Sequence, residues 1–285
     1  MKRKVFTSLI VVFLIASLVS SMVFIRCKGG NGTTIEPTTT TPTTDPDPPP
    51  PVLGYSIVNT FPHDTSFYTQ GYTFYKGDLY EGTGDPTRSG KTRLMKVDLA
   101  TGKALIQKDL DKKYFGEGVT ILRDTIYQLT WQEHKVFVYV LKNKKFEQVK
   151  EFDLSTEGWG LTNDGQRLIV SEGSGILYYY DPSTFKLLSK SSIMEGNNQT
   201  YNLNELEYID GFVYANQYEY PYILKIDPKA ARVVAKYDLT DLWNRVKAIK
   251  PDVDVPNGIA YNDATKKTYV TGKLWPEAYE IKLGQ

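Results

Sequence analysis

Gln70-Gly-Tyr-Thr-Phe-Tyr-Lys-Gly-Asp-Leu-Tyr-Glu-Gly-Thr-Gly84 reads as two short strands folded around a turn. Apolar and aromatic side chains alternate with small or polar ones on both sides of Lys76-Gly77-Asp78. Alternation with a period of two about a Gly-containing turn is the pattern of a β-hairpin with a buried face. The same design returns in Glu117–Trp131, Trp159–Gly173, Asn204–Gln217 and Asn257–Lys273. Counted from Gly71 through Gly118, Gly160, Leu206 and Gly258, the units lie 42 to 52 residues apart. A period in that range with several strands per unit predicts propeller blades.

Working outward, each hairpin is followed by another apolar-alternating run. Arg93–Asp98 leads to a Thr101-Gly102 turn, Leu177–Asp181 to Pro182-Ser183, and Tyr222–Asp227 to Pro228-Lys229. Each is a third strand before a fourth. The last unit ends with Tyr279–Leu283 and has no fourth strand after it, so Tyr55–Thr60 is expected to supply one from the other end. The fold expected is all-β: a five-bladed β-propeller with four-stranded blades, closed by pairing an N-terminal strand with the C-terminal blade. A helix is expected over Leu239–Lys250, as the insertion behind the longest spacing.

The chain of 285 residues holds more than this domain. Met1–Lys4 is basic and Val5–Ile25 carries no charge, which is the layout of a secretory signal or an uncleaved membrane anchor. Cys27 is the only cysteine and directly follows that run, although Phe24, Ile25 and Arg26 stand where lipoprotein signals place small residues. It is read as a lipid-attachment site or as the end of an anchor. Residues 28–52 are rich in Thr, Pro, Gly and Asp and read as an extended linker. The expected organisation is 1–27 signal peptide or membrane/lipoprotein anchor, 28–52 linker and 53–285 propeller. The expected location is the periplasm or cell envelope, with membrane contact through the anchor alone, as a monomer.

Composition excludes several classes of function. Net charge is +1, with no basic stripe, so no nucleic-acid partner is expected. The Lys142, Lys144 and Lys145 cluster reads as a solvated turn. The two histidines and the one cysteine form no cluster that could hold a catalytic zinc, and neither a G-x-S-x-G elbow nor a phosphate loop is present. Chemistry must rest on carboxylate, amide, amine and aromatic groups. Rotation about a propeller axis brings the unit starts Gln70, Glu117, Trp159, Asn204 and Asn257 to one mouth. The second-strand ends Glu81, Trp131, Glu172, Asn216 and Lys273 should join them. Such a mixed pocket is the natural candidate site.

The motifs His63-Asp64, Tyr68-Thr-Gln-Gly71, Glu81-Gly-Thr-Gly84, Tyr114-Phe-Gly-Glu-Gly118 and Leu129-Thr-Trp131 resemble those of plant and bacterial glutaminyl-peptide cyclotransferases. Gly158-Trp-Gly-Leu-Thr162, Leu203-Asn-Glu-Leu-Glu207, Tyr214-Ala-Asn216, Asn257-Gly-Ile-Ala260 and Val270-Thr-Gly-Lys-Leu-Trp-Pro276 extend the resemblance across nearly the whole domain, in order. The resemblance implies cyclisation of N-terminal glutamine of peptides or proteins to pyroglutamate, with release of ammonia, without metal or cofactor. It implies Glu117 as the acid–base residue. It implies substrate contacts from Gln70, Phe115, Trp131, Trp159, Asn204 and Lys273. Tyr218 stands nearest to where the family often carries Trp, and Tyr68 where Phe is usual, so both retain an aromatic face. The other classes weighed are a non-catalytic propeller that binds a ligand or partner at its mouth, and a metal-dependent, lactonase-like hydrolase using Glu117, Glu205 and Asn257.

Overall fold

Four hairpin turns each place two consecutive residues at positive φ: Lys76-Gly77, Arg123-Asp124, Asn143-Lys144 and Asp210-Gly211. That is the handedness a two-residue hairpin loop needs to match the twist of its strands. A non-glycine residue in this region costs about 1–2 kcal/mol. Arg123, Asp124, Asn143 and Lys144 therefore hold it only because the strands pair right up to the turns, Leu122 with Thr125 and Lys142 with Lys145. The solvated lysine turn expected from the sequence is one of these loops.

The computed structural model describes residues 47–284. The expected signal or anchor, Cys27 and most of the linker lie outside the described residues. The described strands form an all-β, propeller-like fold with four-stranded blades. The first sheet is Tyr68–Tyr75, Asp78–Gly84, Arg93–Asp98 and Lys103–Asp109. The second is Gly116–Leu122, Thr125–Thr130, Lys135–Lys142 and Lys145–Asp153. The third is Leu161–Asn163, Leu168–Val170, Ile176–Tyr180 and Leu187–Ser192. Another is Pro256–Asn262, Lys267–Gly272, Glu277–Leu283 and, from the beginning of the domain, Tyr55–Pro62. Tyr55 lies opposite Leu283 and Pro62 opposite Glu277.

The remaining sheet departs from the expected four-stranded unit. It contains the meander Leu203–Ile209, Phe212–Gln217, Tyr222–Asp227 and Arg232–Asp238, but has seven strands. Val52–Leu53 and the small hairpin Met194–Glu195 with Asn198–Gln199 join the outer edge at Arg232–Asp238. They cover backbone groups that an outer strand leaves open. The expected linker boundary also shifts, since Val52 lies in a strand and Lys236 donates its backbone N–H to the Pro51 carbonyl at 2.9 Å. The helix runs Thr240–Ile249 and buries Leu242 and Val246.

The first strands of the sheets lie side by side in sequence order, and Pro256–Asn262 packs against Tyr68–Tyr75. Small residues permit this approach. A Cβ on Gly160 would stand 1.9 Å from the Asn204 carbonyl oxygen, and one on Gly118 would stand 2.5 Å from Leu161 N. Glu205 instead fills the middle. Its carboxylate accepts N–H bonds from Tyr72 at 3.2 Å and Ile259 at 2.8 Å, and Glu207 accepts one from Tyr261 at 2.9 Å.

Candidate active site

Irregularities in strand pairing place the polar side chains. Thr69 pairs with Thr83 and Gly71 with Gly82, so Gln70 is an extra residue on its strand. Glu117 and Gly118 together face Leu129, Asn204 and Glu205 face Asn216, and Asn257 and Gly258 face Thr271. These are β-bulges, which bend a strand and re-aim side chains. They also correct the repeat count, because Glu205 rather than Leu206 occupies the position of Gly118 and Gly258.

The bulged side chains meet in a cavity of about 280 Å³. Gln70, Phe115, Glu117, Trp131, Trp159, Asn204, Tyr218 and Lys273 all line it, together with Tyr68, Pro86 and Arg88. Three other strand-end residues expected at the mouth are absent from the lining. Glu81 is drawn back to His63 Nε2 at 3.1 Å and Thr69 Oγ1 at 2.7 Å. Asn216 accepts the Gly258 N–H at 2.8 Å, and Glu172 accepts from Ser174. Each polar head has a nearer partner than the cavity. Asn257 also stands behind the surface, where its Nδ2 donates to Thr69 O at 2.9 Å and Gln70 Oε1 at 3.0 Å.

That contact orients the Gln70 carboxamide. With its oxygen turned to Asn257, its Nε2 faces Glu117 and donates to Oε1 at 3.1 Å. Glu117 is 4% exposed. Burial pushes its pKa well above the usual carboxylate range, the positive Lys273 opposes this, and Glu133 and Glu157 add to the rise. Burial likewise lowers the Lys273 pKa, against the pull of Glu117 and Asp254. Lys273 makes no ion pair among the described residues. Its Nζ lies 4.8 Å from the ring centroids of both Tyr68 and Tyr218. Asn204 Oδ1 is buried without a partner among the described residues.

Aromatic rings form the wall by edge-to-face packing. Phe115 meets Trp131 at 5.6 Å and Tyr68 at 6.2 Å, and Trp159 meets Tyr218 at 5.5 Å. The sequence reading missed the group that joins the tryptophans. Glu157 Oε2 accepts the indole N–H of Trp131 at 2.7 Å and of Trp159 at 3.1 Å. Burial raises its pKa, but hydrogen bonds from Trp159, Trp131 and Gln132 outweigh this and hold it low. Its place beside Gly158-Trp159 was the available signal. Asp254 was missed too; it accepts the Tyr68 hydroxyl at 2.7 Å. Nothing local in the sequence announces that pair, which spans 186 residues.

The combination is an aromatic-walled cavity holding one proton-binding carboxyl, one amine and oriented carboxamides. It suits proton transfer within a small curled substrate. A family model described as glutamine cyclotransferase matches residues 32–283. The chain is 39% identical over 232 residues to glutaminyl-peptide cyclotransferase of Arabidopsis thaliana, covering 80% of this chain and 71% of that protein. Its fold matches the crystal structure of Myxococcus xanthus glutaminyl cyclase with a TM-score of 0.74 and 29% identity, over 82% of this chain and 98% of that one.

Proposed function

Because the chain belongs to the glutamine cyclotransferase family, we propose that the cavity around Glu117 converts N-terminal glutamine of peptides and proteins to pyroglutamate and releases ammonia. The observation that carries this reading is the buried Glu117 carboxyl, held by Gln70 inside an aromatic enclosure that also contains Lys273.

The reaction is intramolecular, so the enzyme's first task is conformational. Phe115, Trp131 and Trp159 hold the glutamine side chain curled against its own α-amine and exclude water. The amine nitrogen attacks the γ-carbonyl carbon, a C–N bond forms, and the carbonyl electron pair moves to oxygen. Glu117 takes a proton from the attacking nitrogen and gives it to the leaving amide nitrogen. The old C–N bond then breaks, ammonia departs and Glu117 returns to its starting state. Its raised pKa serves both halves, since burial makes the carboxylate a stronger base toward the attacking nitrogen before it returns the proton to the leaving one. Lys273 is an amine without a carboxylate ion-pair partner among the described residues and supplies the donor for the developing oxyanion. The unpartnered Asn204 Oδ1 accepts a substrate N–H.

We read the seven-stranded sheet as a fifth blade with added edge strands, and the pairing of Tyr55–Pro62 with Glu277–Leu283 as the seam of a closed ring. The cyclic packing of the first strands supports this. We also read the chain as exported and tethered through its N-terminus. The basic Met1–Lys4 and uncharged Val5–Ile25 support that reading. A lactonase-like site would bring Glu117, Glu205 and Asn257 to one cation, but the Glu205 carboxylate is held by the amides of Tyr72 and Ile259.

The direct test is incubation with a dipeptide that begins with glutamine. Stoichiometric ammonia and a product lighter by one ammonia are expected, with activity that survives chelators. An unchanged dipeptide would refute the assignment.

A further inference from the structure

The reacting groups lie at the bottom of the cavity, with Glu117, Gln70, Asn204 and Lys273 between 2% and 4% exposed. A peptide whose first residue reaches them must leave across the rim. The Arg88 side chain lines the same cavity but is 37% exposed, and the cyclisation steps make no use of it.

Arg88 is held in place by a built loop. The buried Asp85 carboxylate accepts from Thr87 N at 3.1 Å, Thr87 Oγ1 at 2.7 Å, Ser89 Oγ at 3.0 Å and Lys91 N at 2.9 Å. Burial raises the Asp85 pKa, but these four bonds outweigh it and hold the carboxyl well below its ordinary range. The loop places Arg88 at φ 52°, a conformation that a side chain with a Cβ adopts only when its surroundings impose it. The guanidinium lies over the Phe115 ring at 5.6 Å. Its Nη1 donates to Lys113 O at 2.7 Å and lies 2.8 Å from Glu133 Oε1. Glu133 Oε2 in turn accepts the Phe115 N–H at 3.0 Å. One nitrogen thus anchors the group to the wall. Nε and Nη2 make no hydrogen bond to protein among the described residues.

We propose that Arg88 is the binding site for the substrate chain beyond its first residue, donating from Nε and Nη2 to backbone carbonyl oxygens of the second and third residues. The ligand class is any extended peptide, because every peptide presents those acceptors, whatever its side chains. A planar, pre-oriented fork with unused N–H groups suits such acceptors, and its attachment to Phe115 keeps it in register with the floor of the cavity.

This inference rests on the cyclotransferase reading, and its test separates the two. Glutamine amide and Gln-Ala-Ala-amide are compared on the full chain, the first ending before the proposed contact and the second reaching it. In Arg88→Gln and Arg88→Lys, the ratio of kcat/KM for the tripeptide amide to that for glutamine amide should fall. The expected drop in Arg88→Gln is about tenfold or more, carried by KM, as for one lost hydrogen bond to a charged donor. Arg88→Lys should fall between Arg88→Gln and wild type. Taking the ratio cancels any general disturbance of Phe115 or Glu117. A ratio equal to wild type in both variants would overturn the inference and leave the activity standing. Failure of the wild-type chain to turn over either compound would overturn both.

Discussion

Gln70 Nε2 donates to Glu117 Oε1 across 3.1 Å, and the two residues stand at bulges in neighbouring sheets. One irregularity, repeated from sheet to sheet, therefore brings together a carboxyl and the amide that orients it. Glu117→Gln keeps the shape and removes the proton carrier. Turnover of a Gln-leading dipeptide should fall roughly 10²–10⁴-fold, the range for a general acid–base group. Ammonia release measured on protein with an unaltered circular dichroism spectrum decides it. Activity within a few-fold of wild type would remove Glu117 from the role.

Glu157 offers a test of the aromatic wall. Glu157→Gln retains one oxygen that can accept an indole N–H, whereas Glu157→Ala leaves Trp131 and Trp159 both without their acceptor. A hydrogen bond to a charged group contributes about 1.5–3 kcal/mol, so kcat/KM should fall about tenfold or more in Glu157→Ala and less in Glu157→Gln. Near-ultraviolet circular dichroism should change in parallel, as the rings lose a fixed orientation. Equal kinetics in the two variants would show that the shared carboxylate does not position the tryptophans.

The strand approach near Asn204 makes Gly160 a sensitive point. In Gly160→Ala the new carbon meets backbone, 1.9 Å from Asn204 O, and backbone cannot swing aside. Overpacking of this kind costs about 1–3 kcal/mol, and here it also displaces a cavity residue. Gly77 has no atom within 4 Å of a built Cβ and requires only its positive φ. Gly77→Ala should lower the urea midpoint but spare dipeptide turnover. Gly160→Ala should lower both. Loss of activity in Gly77→Ala, or full activity in Gly160→Ala, would contradict the account of the inner strands.

The hairpins were legible because their information is local. Lys76-Gly77 and Asp210-Gly211 name their turns, and the alternation around them names the faces. Part of the cavity lining followed from rotating equivalent positions, which is how residues as distant as Gln70 and Lys273 could be placed together, whereas Phe115 and Tyr218 came from the family resemblance and Arg88 from neither. What escaped was competition for partners. Glu81 occupies the right register to reach the mouth, yet His63 and Thr69 bind it first. The extra residue in each bulge leaves no mark on a pattern read as simple alternation, so Leu206 was counted where Glu205 stands. The edge strands Val52–Leu53 and Met194–Glu195 are too short to carry a period of their own.

Glu207 gives the fold a pH dependence whose sign can be worked out. The side chain is buried and accepts N–H from Tyr261 at 2.9 Å and a hydroxyl from Thr73 at 3.4 Å. Burial pushes its pKa from 4.5 up to about 8, more than those hydrogen bonds bring it down. A carboxyl raised in the folded state stays protonated there while the unfolded chain has already released its proton. Stability then falls as pH rises from the unfolded value toward the folded one. Below that window both states are protonated and the group contributes nothing; above it the loss is complete and constant. Glu205 lies beside Glu207 and is raised by burial and then by the Glu207 charge, so it acts in the same direction. Glu207→Gln cannot ionise, and the Thr73 hydroxyl can rotate to accept from its new amide. The variant should match wild type in melting temperature near about pH 4, exceed it increasingly through neutrality, and keep a steady lead above about pH 8. Thermal melts at closely spaced pH values measure the gap directly. A gap that is the same at both ends of the range would mean that the Glu207 pKa is not raised in the folded protein.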